Sequence, residues 1–226
     1  MTFPRINLVN ATFELLNTAI EDPPAFGRLL GATVADDWAG FPEALPAVRA
    51  LYAENPGENL WGTLFFVEES PRALVGWGGY KGRPSPEGVV EIGYAIAPAC
   101  RGRGLATEAV AQMMRRAFAD PAINAVDAHT LGHVNPSTRV LEKAGFQQIG
   151  EEQDPEDGSL WHWRYRRPDA ERVDRIRVGE PDNLALQAKR RVASASSAPA
   201  PDRAYRRLRP RDRGVKNGRR PGPDKK

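Results

Sequence analysis

Residues Ile92 to Ala109 read IGYAIAPACRGRGLATEA, and this stretch decides the fold. Apolar residues alternate as far as Ile96, Pro98 stops the run, a basic glycine loop follows, and a helical pattern starts near Gly104. Glycines let a backbone approach a ligand closely, and the first turn of a helix leaves its N–H groups unpaired. The helix dipole adds partial positive charge at that end, so strand, glycine loop and helix start together make an anion site. Arg101 and Arg103 add full charges beside it. The ligand expected here carries phosphates.

Spacing narrows the choice. A P-loop needs Lys and then Ser or Thr after its second glycine, and none follows here. The dinucleotide fingerprint G-x-G-x-x-G/A matches at Gly102 and Gly104 but meets Thr107 where its third small residue belongs. That fingerprint also follows the first strand of a repeating βαβ unit, whereas this loop comes after several strands of antiparallel pattern. Neither pattern fits.

Working outward, strand and helix periods alternate. A strand over 5–10 leads to Asn10, a candidate cap, and a helix with Phe13, Leu16 and Ile20 on one side. Asp22 before Pro23 signals a second helical start. Leu45, Val48, Leu51 and Tyr52 predict another helix, ended by Asn55-Pro56-Gly57. Strand-like runs occupy 60–68, 72–80 and 89–97, the last two joined by the polar link 81–88. Leu105, Ala109, Met113 and Ala117 recur at i,i+4, which predicts an amphipathic helix over 104–119. A strand at 123–131, a helix at 136–144 and strands at 146–152 and 158–166 follow. The order argues for a mixed α/β sheet with helices on both faces.

Charge and aromatic content set the boundary of the folded unit. Residues 168–226 hold 17 Lys and Arg against 8 Asp and Glu, net +9, which leaves 15 against 21, net −6, in residues 1–167. Of 18 aromatic residues only Tyr205 lies beyond position 167. A segment so poor in large apolar groups cannot offset the entropy of ordering itself. The expected organisation is therefore a folded domain over 1–167 and a basic, mostly disordered tail over 168–226, with residues 171–191 able to dock a short element on the core. No apolar run approaches the roughly 18–20 residues of a spanning helix. The opening MTFPRINLVN lacks the charged-then-apolar pattern of a secretory leader, so a cytoplasmic location is expected. Cys100 is the sole cysteine, which excludes an internal disulfide and a four-cysteine zinc site. No His, Cys, Asp and Glu fall at metal-ligand spacing along the chain, so no metal is expected.

Arg101-Gly102-Arg103-Gly104-Leu105-Ala106 matches the pattern Gln/Arg-x-x-Gly-x-Gly/Ala and resembles the acetyl-CoA loop of the GNAT superfamily of N-acetyltransferases. Glu91-Ile92-Gly93-Tyr94 before it and Ala106-Thr107-Glu108-Ala109 after it resemble the branch related to ribosomal-protein N-terminal acetyltransferases. Asn135-Pro-Ser137 through Ala144-Gly145-Phe146 resembles that branch's second CoA-contacting helix. The resemblance spans about 1–167. It implies a GNAT-type mixed, mostly antiparallel sheet with helices on both faces, its fourth and fifth strands splayed to hold acetyl-CoA as cosubstrate.

The resemblance also implies direct attack of an amine on the thioester in a ternary complex. Backbone groups of Ile96 and Ala97 would pair with the pantetheine arm. The N–H groups of Arg101, Gly102, Arg103, Gly104, Leu105 and Ala106 would hold the pyrophosphate, and Asn135 and Ser137 would contact the cofactor from across the splay. A protonated alkylamine has a pKa of about 10, so a group must take its proton near neutrality. Glu91 is the candidate base: strand alternation puts it with the small residues Gly93 and Ala95, opposite the core set Val90, Ile92, Tyr94 and Ile96. The competing interpretation is an edge acid paired with a basic neighbour. The family's acid is a tyrosine at the position of Leu141, so the leaving thiolate either departs unprotonated or is served by His129 or His133.

Cys100 is expected to be incidental, and Glu108 to complement the helix dipole. The acceptor is a primary amine, either a protein N-terminus or a small molecule. Homodimers are common in the family. The alternatives are a non-catalytic acyl-CoA-binding sensor and RNA or ribosome binding through the tail, against which stand its single aromatic and interleaved acids. No membrane partner is expected.

Overall fold

The computed structural model describes residues 5–35, 37–54 and 60–168. The expected tail, beyond Pro168, and the docked element at 171–191 lie outside the described residues. The chain runs β1 (Ile6–Asn10), α1 (Phe13–Glu21), α2 (Pro23–Leu30), β2 (Thr33–Val34), α3 (Leu45–Glu54), β3 (Thr63–Glu69), β4 (Arg72–Tyr80) and β5 (Val89–Ile96). It continues through α4 (Leu105–Phe118), β6 (Ala125–Leu131), α5 (Pro136–Lys143), β7 (Gln147–Asp154) and β8 (Gly158–Arg166).

Local chemistry starts these elements. Asp22 accepts from Ala25 N–H at 3.0 Å with Pro23 at the first helical position, as its sequence predicts. Asn10 is not the cap of α1. It ends β1, and Thr12 caps the helix by accepting from Leu15 N–H at 3.1 Å. Both residue types cap well, and pairing of Asn10 with Leu64 decides between them.

Seven strands form the path β1-β3-β4-β5-β6-β8-β7, and the two-residue β2 adds to β4 in parallel. Along the path every pairing is antiparallel except β5 with β6. Helices cover both faces, so β3 reads as the unbroken apolar run Leu64-Phe65-Phe66-Val67. Leu64 and Phe66 pack with Leu105, Val110 and Met113 of α4. Phe65 and Val67 pack with Leu16, Phe26 and Val48 from α1, α2 and α3. There Phe26, Trp38, Phe65 and Trp77 form tilted and edge contacts with centroids 5.2–6.1 Å apart, and Trp77 donates its indole N–H to the Ala39 carbonyl at 2.5 Å. Truncating a buried Trp such as Trp77 to Ala costs roughly 3–5 kcal/mol.

The glycines of Gly76-Trp77-Gly78-Gly79 are needed where β4 crosses β5. A Cβ on Gly76 would lie 2.2 Å from the Ala95 carbonyl oxygen, and one on Gly78 would lie 2.3 Å from that of Gly93. Only bare backbone at 76 and 78 lets β5 sit where it does. The second core ends at Ala95. Beyond it the same sheet face carries Glu91, Asp127, His129, His162 and Arg164, by the pairings Glu91↔Asp127, Asp127↔Arg164 and His129↔His162.

Candidate active site

The parallel pairing of β5 with β6 spans only Val89↔Ala125, Val90↔Val126 and Glu91↔Asp127. From Ile92 and Ala128 onward the strands part. Into this gap opens a cleft of about 500 Å³, lined by Tyr94, Ala95 and Ile96 of β5, Thr130 and Leu131 of β6, the 100–107 loop and the start of α5. The expected splay is thus formed by the strands at 89–96 and 125–131.

Which backbone groups face the gap follows from the hydrogen bonds to β4. Lys81 N–H donates to the Glu91 carbonyl at 2.9 Å, and Ala97 N–H donates to Val75 at 2.8 Å. Odd-numbered residues of β5 therefore spend their backbone on β4, and Tyr94 and Ile96 turn theirs toward the gap. This suits Ile96 as a partner of an extended ligand arm, although its carbonyl already accepts from Arg101 Nε at 3.1 Å. It does not suit Ala97, whose N–H is committed to the sheet. The expectation for Ala97 is corrected on that ground.

In the loop, Gly102 and Gly104 have φ of 76° and 82°, a left-handed backbone that side-chain-bearing residues rarely adopt. Glu108 N–H makes a bond to the Gly104 carbonyl at 3.2 Å, so the amides of Leu105, Ala106 and Thr107 lie in the unpaired first turn of α4. A Cβ on Gly102 would meet nothing within 4 Å. Open space thus stands before a row of amide donors at a helix N-terminus, with Arg101 at the rim, and this donor set fits a pyrophosphate. Arg103 contributes differently from expectation. Its guanidinium donates to the buried Glu68 carboxylate at 2.6 Å and is absent from the cleft wall, leaving only its backbone for a ligand. The opposite wall supplies cations that sequence reasoning missed, Arg139 and Lys143 of α5. Their i,i+4 spacing was the available signal.

Asn135 and Ser137 both line the cleft, but Asn135 is occupied. Its Oδ1 accepts from Ser137 and Thr138 N–H at 2.9 and 3.2 Å, and its Nδ2 donates to the His133 carbonyl at 2.9 Å. It positions α5 by capping it, with Thr138 completing a capping box. Leu141 is fully buried in the α4 side of the core, so this position offers neither an acid nor a cleft wall. Tyr94, assigned to the core by its alternation, packs against that core and also lines the cleft, where it donates its hydroxyl to the Ser137 carbonyl at 3.3 Å. Burial pushes its pKa up, and the Ser137 hydrogen bond lowers it by less, so the phenol stays protonated.

Glu91 lies on the face away from α4, outside the cleft wall. Its carboxylate meets the Lys81 ammonium and accepts from His129 Nδ1 at 2.8 Å. Burial alone would raise its pKa, but the His129 hydrogen bond and the Lys81 charge outweigh that and hold the carboxyl well below its ordinary range. A carboxylate so stabilised accepts protons poorly. Its geometry is that of the paired acid rather than the free base. Around it, His129 stacks on His162 with centroids 4.5 Å apart, and Asp127 accepts from His162 Nε2 at 2.8 Å and from Arg164 Nε and Nη2 at 2.7 Å each. Glu108 proves to be more than a dipole complement. It accepts from the Arg5 and Ile6 amides at 2.6 and 3.1 Å and so ties β1 to α4.

Residues 14–147 match the model of the acetyltransferase (GNAT) domain. The chain is 26% identical over 144 residues, 63% of its length and 86% of the relative's, to YjdG, an uncharacterized N-acetyltransferase of Bacillus subtilis (strain 168). A dodecameric spermidine N-acetyltransferase from Vibrio cholerae superposes with a TM-score of 0.55 at 13% identity, covering 73% of this chain and 95% of that one. The aminoglycoside acetyltransferase AAC(6')-Ib, solved in complex with coenzyme A, superposes with a TM-score of 0.51 at 19% identity, covering 75% and 99%. With the domain model matching more than half of the chain, and the strand splay and glycine loop in place, the protein belongs to the GNAT family and is an N-acetyltransferase.

Proposed function

We propose that the protein acetylates a cationic primary amine by direct attack within a ternary complex of enzyme, acetyl-CoA and acceptor. The observation that carries this reading is the gap beyond Glu91↔Asp127, which opens on the glycine loop and exposes the backbone of Tyr94 and Ile96 to a ligand. Bound acetyl-CoA supplies an activated acyl group. The amides at Gly102 to Ala106 hold its phosphates, Arg101, Arg139 and Lys143 complement the charge, and the Ile96 backbone aligns the extended arm. N–H groups of β5 facing the gap offer donors to the negative charge that gathers on the acyl oxygen, and one such donor is worth about 3–4 kcal/mol. Tyr94 takes the place of the tyrosine missing at Leu141: the acceptor attacks as its neutral amine, the Tyr94 hydroxyl gives its proton to the departing thiolate, and the surplus proton on the acylated nitrogen returns to the phenolate, so that the phenol is regenerated.

On the acceptor side Glu91 and Asp127 are each paired with a cation, Lys81 and Arg164, which leaves Glu152, 58% exposed, as the carboxylate open to a cationic amine. The relatives named for spermidine and aminoglycosides point to the same class. Glu91 acts as a positioning residue that orients Lys81 and His129. Protein N-termini, the substrate of the branch that the sequence resembles, are the runner-up.

The test is thiol release from acetyl-CoA with polyamines, aminoglycosides, amino acids and peptide N-termini. Release with polycationic amines is expected. Release with peptides alone would replace the acceptor assignment. Tight acetyl-CoA binding without turnover on any amine would overturn the transfer reading in favour of a sensor. In the same assay Tyr94→Phe is expected to lower kcat while leaving the Kd for acetyl-CoA within about twofold.

A further inference from the structure

The chain has three histidines, and two of them meet across strands. His129 and His162 are directly paired between β6 and β8, and Glu152 reaches over from β7. The Glu152 carboxylate lies 3.5 Å from His129 Nε2 and 3.6 Å from His162 Nδ1. One ligand atom from each of the three residues lies within 4.8 Å of the other two. We propose that this cluster is a binding site for a divalent transition metal ion of the zinc type, separate from the acyl-donor cleft.

The hydrogen bonds behind the cluster carry the proposal. A carboxylate only accepts, so His129 donates from Nδ1 to Glu91 and His162 donates from Nε2 to Asp127, at 2.8 Å each. This fixes both tautomers when the rings are neutral. His129 Nε2 and His162 Nδ1 then present bare lone pairs toward a third acceptor, the Glu152 carboxylate. Three acceptors facing one another without a donor repel, and a cation between them removes the repulsion.

His129 Nε2 is buried with no hydrogen-bond partner among the described residues, on a side chain that is 10% exposed. A metal-bound imidazole characteristically donates its other ring nitrogen to a carboxylate, and here both do. Arg164 in turn holds Asp127 through two bonds of 2.7 Å.

The two distances from Glu152, 3.5 and 3.6 Å, are near those such an ion sets. Bonds of about 2.0–2.1 Å to nitrogen and oxygen in a tetrahedral shell put neighbouring ligands roughly 3.3 Å apart. The rings are stacked at 21°, so binding has to tip them toward a common point. Imidazole and carboxylate together suit zinc, nickel or copper better than magnesium or calcium. Glu152, 58% exposed, leaves a path for entry and room for water as a fourth ligand. The proposal is independent of acetyl transfer, since binding is measured without acyl donor.

The experiment titrates Zn²⁺ into the untagged full chain, competing against a chromophoric chelator, and records the visible spectrum with Co²⁺. One equivalent with a micromolar or tighter Kd is expected. Glu152→Ala, at an exposed position that cannot unfold the protein, should weaken binding at least tenfold and alter the Co²⁺ spectrum. Asp127→Asn should weaken it about 10–100-fold. Wild type that shows no stoichiometric binding, or binding that survives in a folded His129→Ala/His162→Ala double variant, overturns the proposal.

Discussion

Substitution of Gly104 by Ala tests the phosphate-loop assignment most directly. Gly104 has φ 82° and ψ 3° and begins α4, and a Cβ there would come no closer than 3.5 Å, to Arg5 Nη2. There is room for the methyl group, so steric overlap contributes nothing and only the backbone conformation is penalised. A left-handed conformation costs a non-glycine residue roughly 1–2 kcal/mol. Where the substituted loop relaxes in the free protein, bound acetyl-CoA has to restore the left-handed form for its amides to converge. The strain then appears in binding, as a rise of about 5–30-fold in the Kd for acetyl-CoA, since each 1.4 kcal/mol is tenfold. Calorimetric titration with acetyl-CoA gives the Kd, and thermal unfolding without ligand gives any share that remains in the free protein. At saturating acetyl-CoA, kcat should stay within about twofold. If neither the Kd nor the unfolding temperature moves, the loop does not need its glycine, and the amides of Gly102 to Ala106 do not hold the cofactor.

Asn135→Ala removes the cap of α5 and should cost about 1 kcal/mol, with a range of roughly 0.5–2. A lowered unfolding temperature together with weaker acetyl-CoA binding is expected, because α5 forms a cleft wall; an unchanged Kd would separate the cap from the site. Glu108→Ala strands the Arg5 and Ile6 amides, and losing hydrogen bonds to a charged group costs roughly 1.5–3 kcal/mol each at most. Urea unfolding should show the loss, and hydrogen exchange should show β1 opening first. Glu91 is held below its ordinary value of 4.5, so its charged form stabilises the fold above that pH and the contribution fades as pH falls below it. Glu91→Gln should therefore flatten the acid side of the urea midpoint curve and lower turnover while leaving acetyl-CoA affinity intact; an acid limb like that of wild type would place the titration elsewhere.

The glycine loop was legible because it is written in contiguous residues, whereas the splay of the strands came only as what the family resemblance implies. A run ending at Pro98, glycines at 102 and 104 and a helical period from Leu105 state the loop outright. Caps were legible to within two residues, since Asn10 and Thr12 are both good caps and only the register of β1 on β3 chooses between them. Hydrogen-bond destinations were not legible. Glu91 is a free carboxylate in a linear reading and becomes a paired one when Lys81 and His129 arrive from β4's end and β6. Arg103 similarly turns away to Glu68, 35 residues upstream. Tyr94 shares its alternation with core residues and sits in the cleft because the neighbouring strand has departed there. The histidine cluster has no linear spacing at all, because its members come from β6, β7 and β8 and meet only through register.

Three residue pairs, Val89↔Ala125 to Glu91↔Asp127, are the whole ladder between the two halves of the sheet. The molecule is in this respect two wings on a short seam, with β1 to β5 on one side and β6 to β8 on the other. A ligand lying in the open part of the seam acts as a stitch, supplying across the gap the hydrogen bonds that a longer ladder would have made. Occupancy should therefore slow amide exchange at Tyr94, Ile96 and Ala128 to Leu131 more than elsewhere, and raise stability by RT ln(1 + [L]/Kd). The glycine loop belongs to the first wing, while α5 brings Arg139 and Lys143 of the second wing onto the same cleft. Residues of β7 and β8, which take no part in the cleft wall, can thus vary without disturbing the loop that holds the donor.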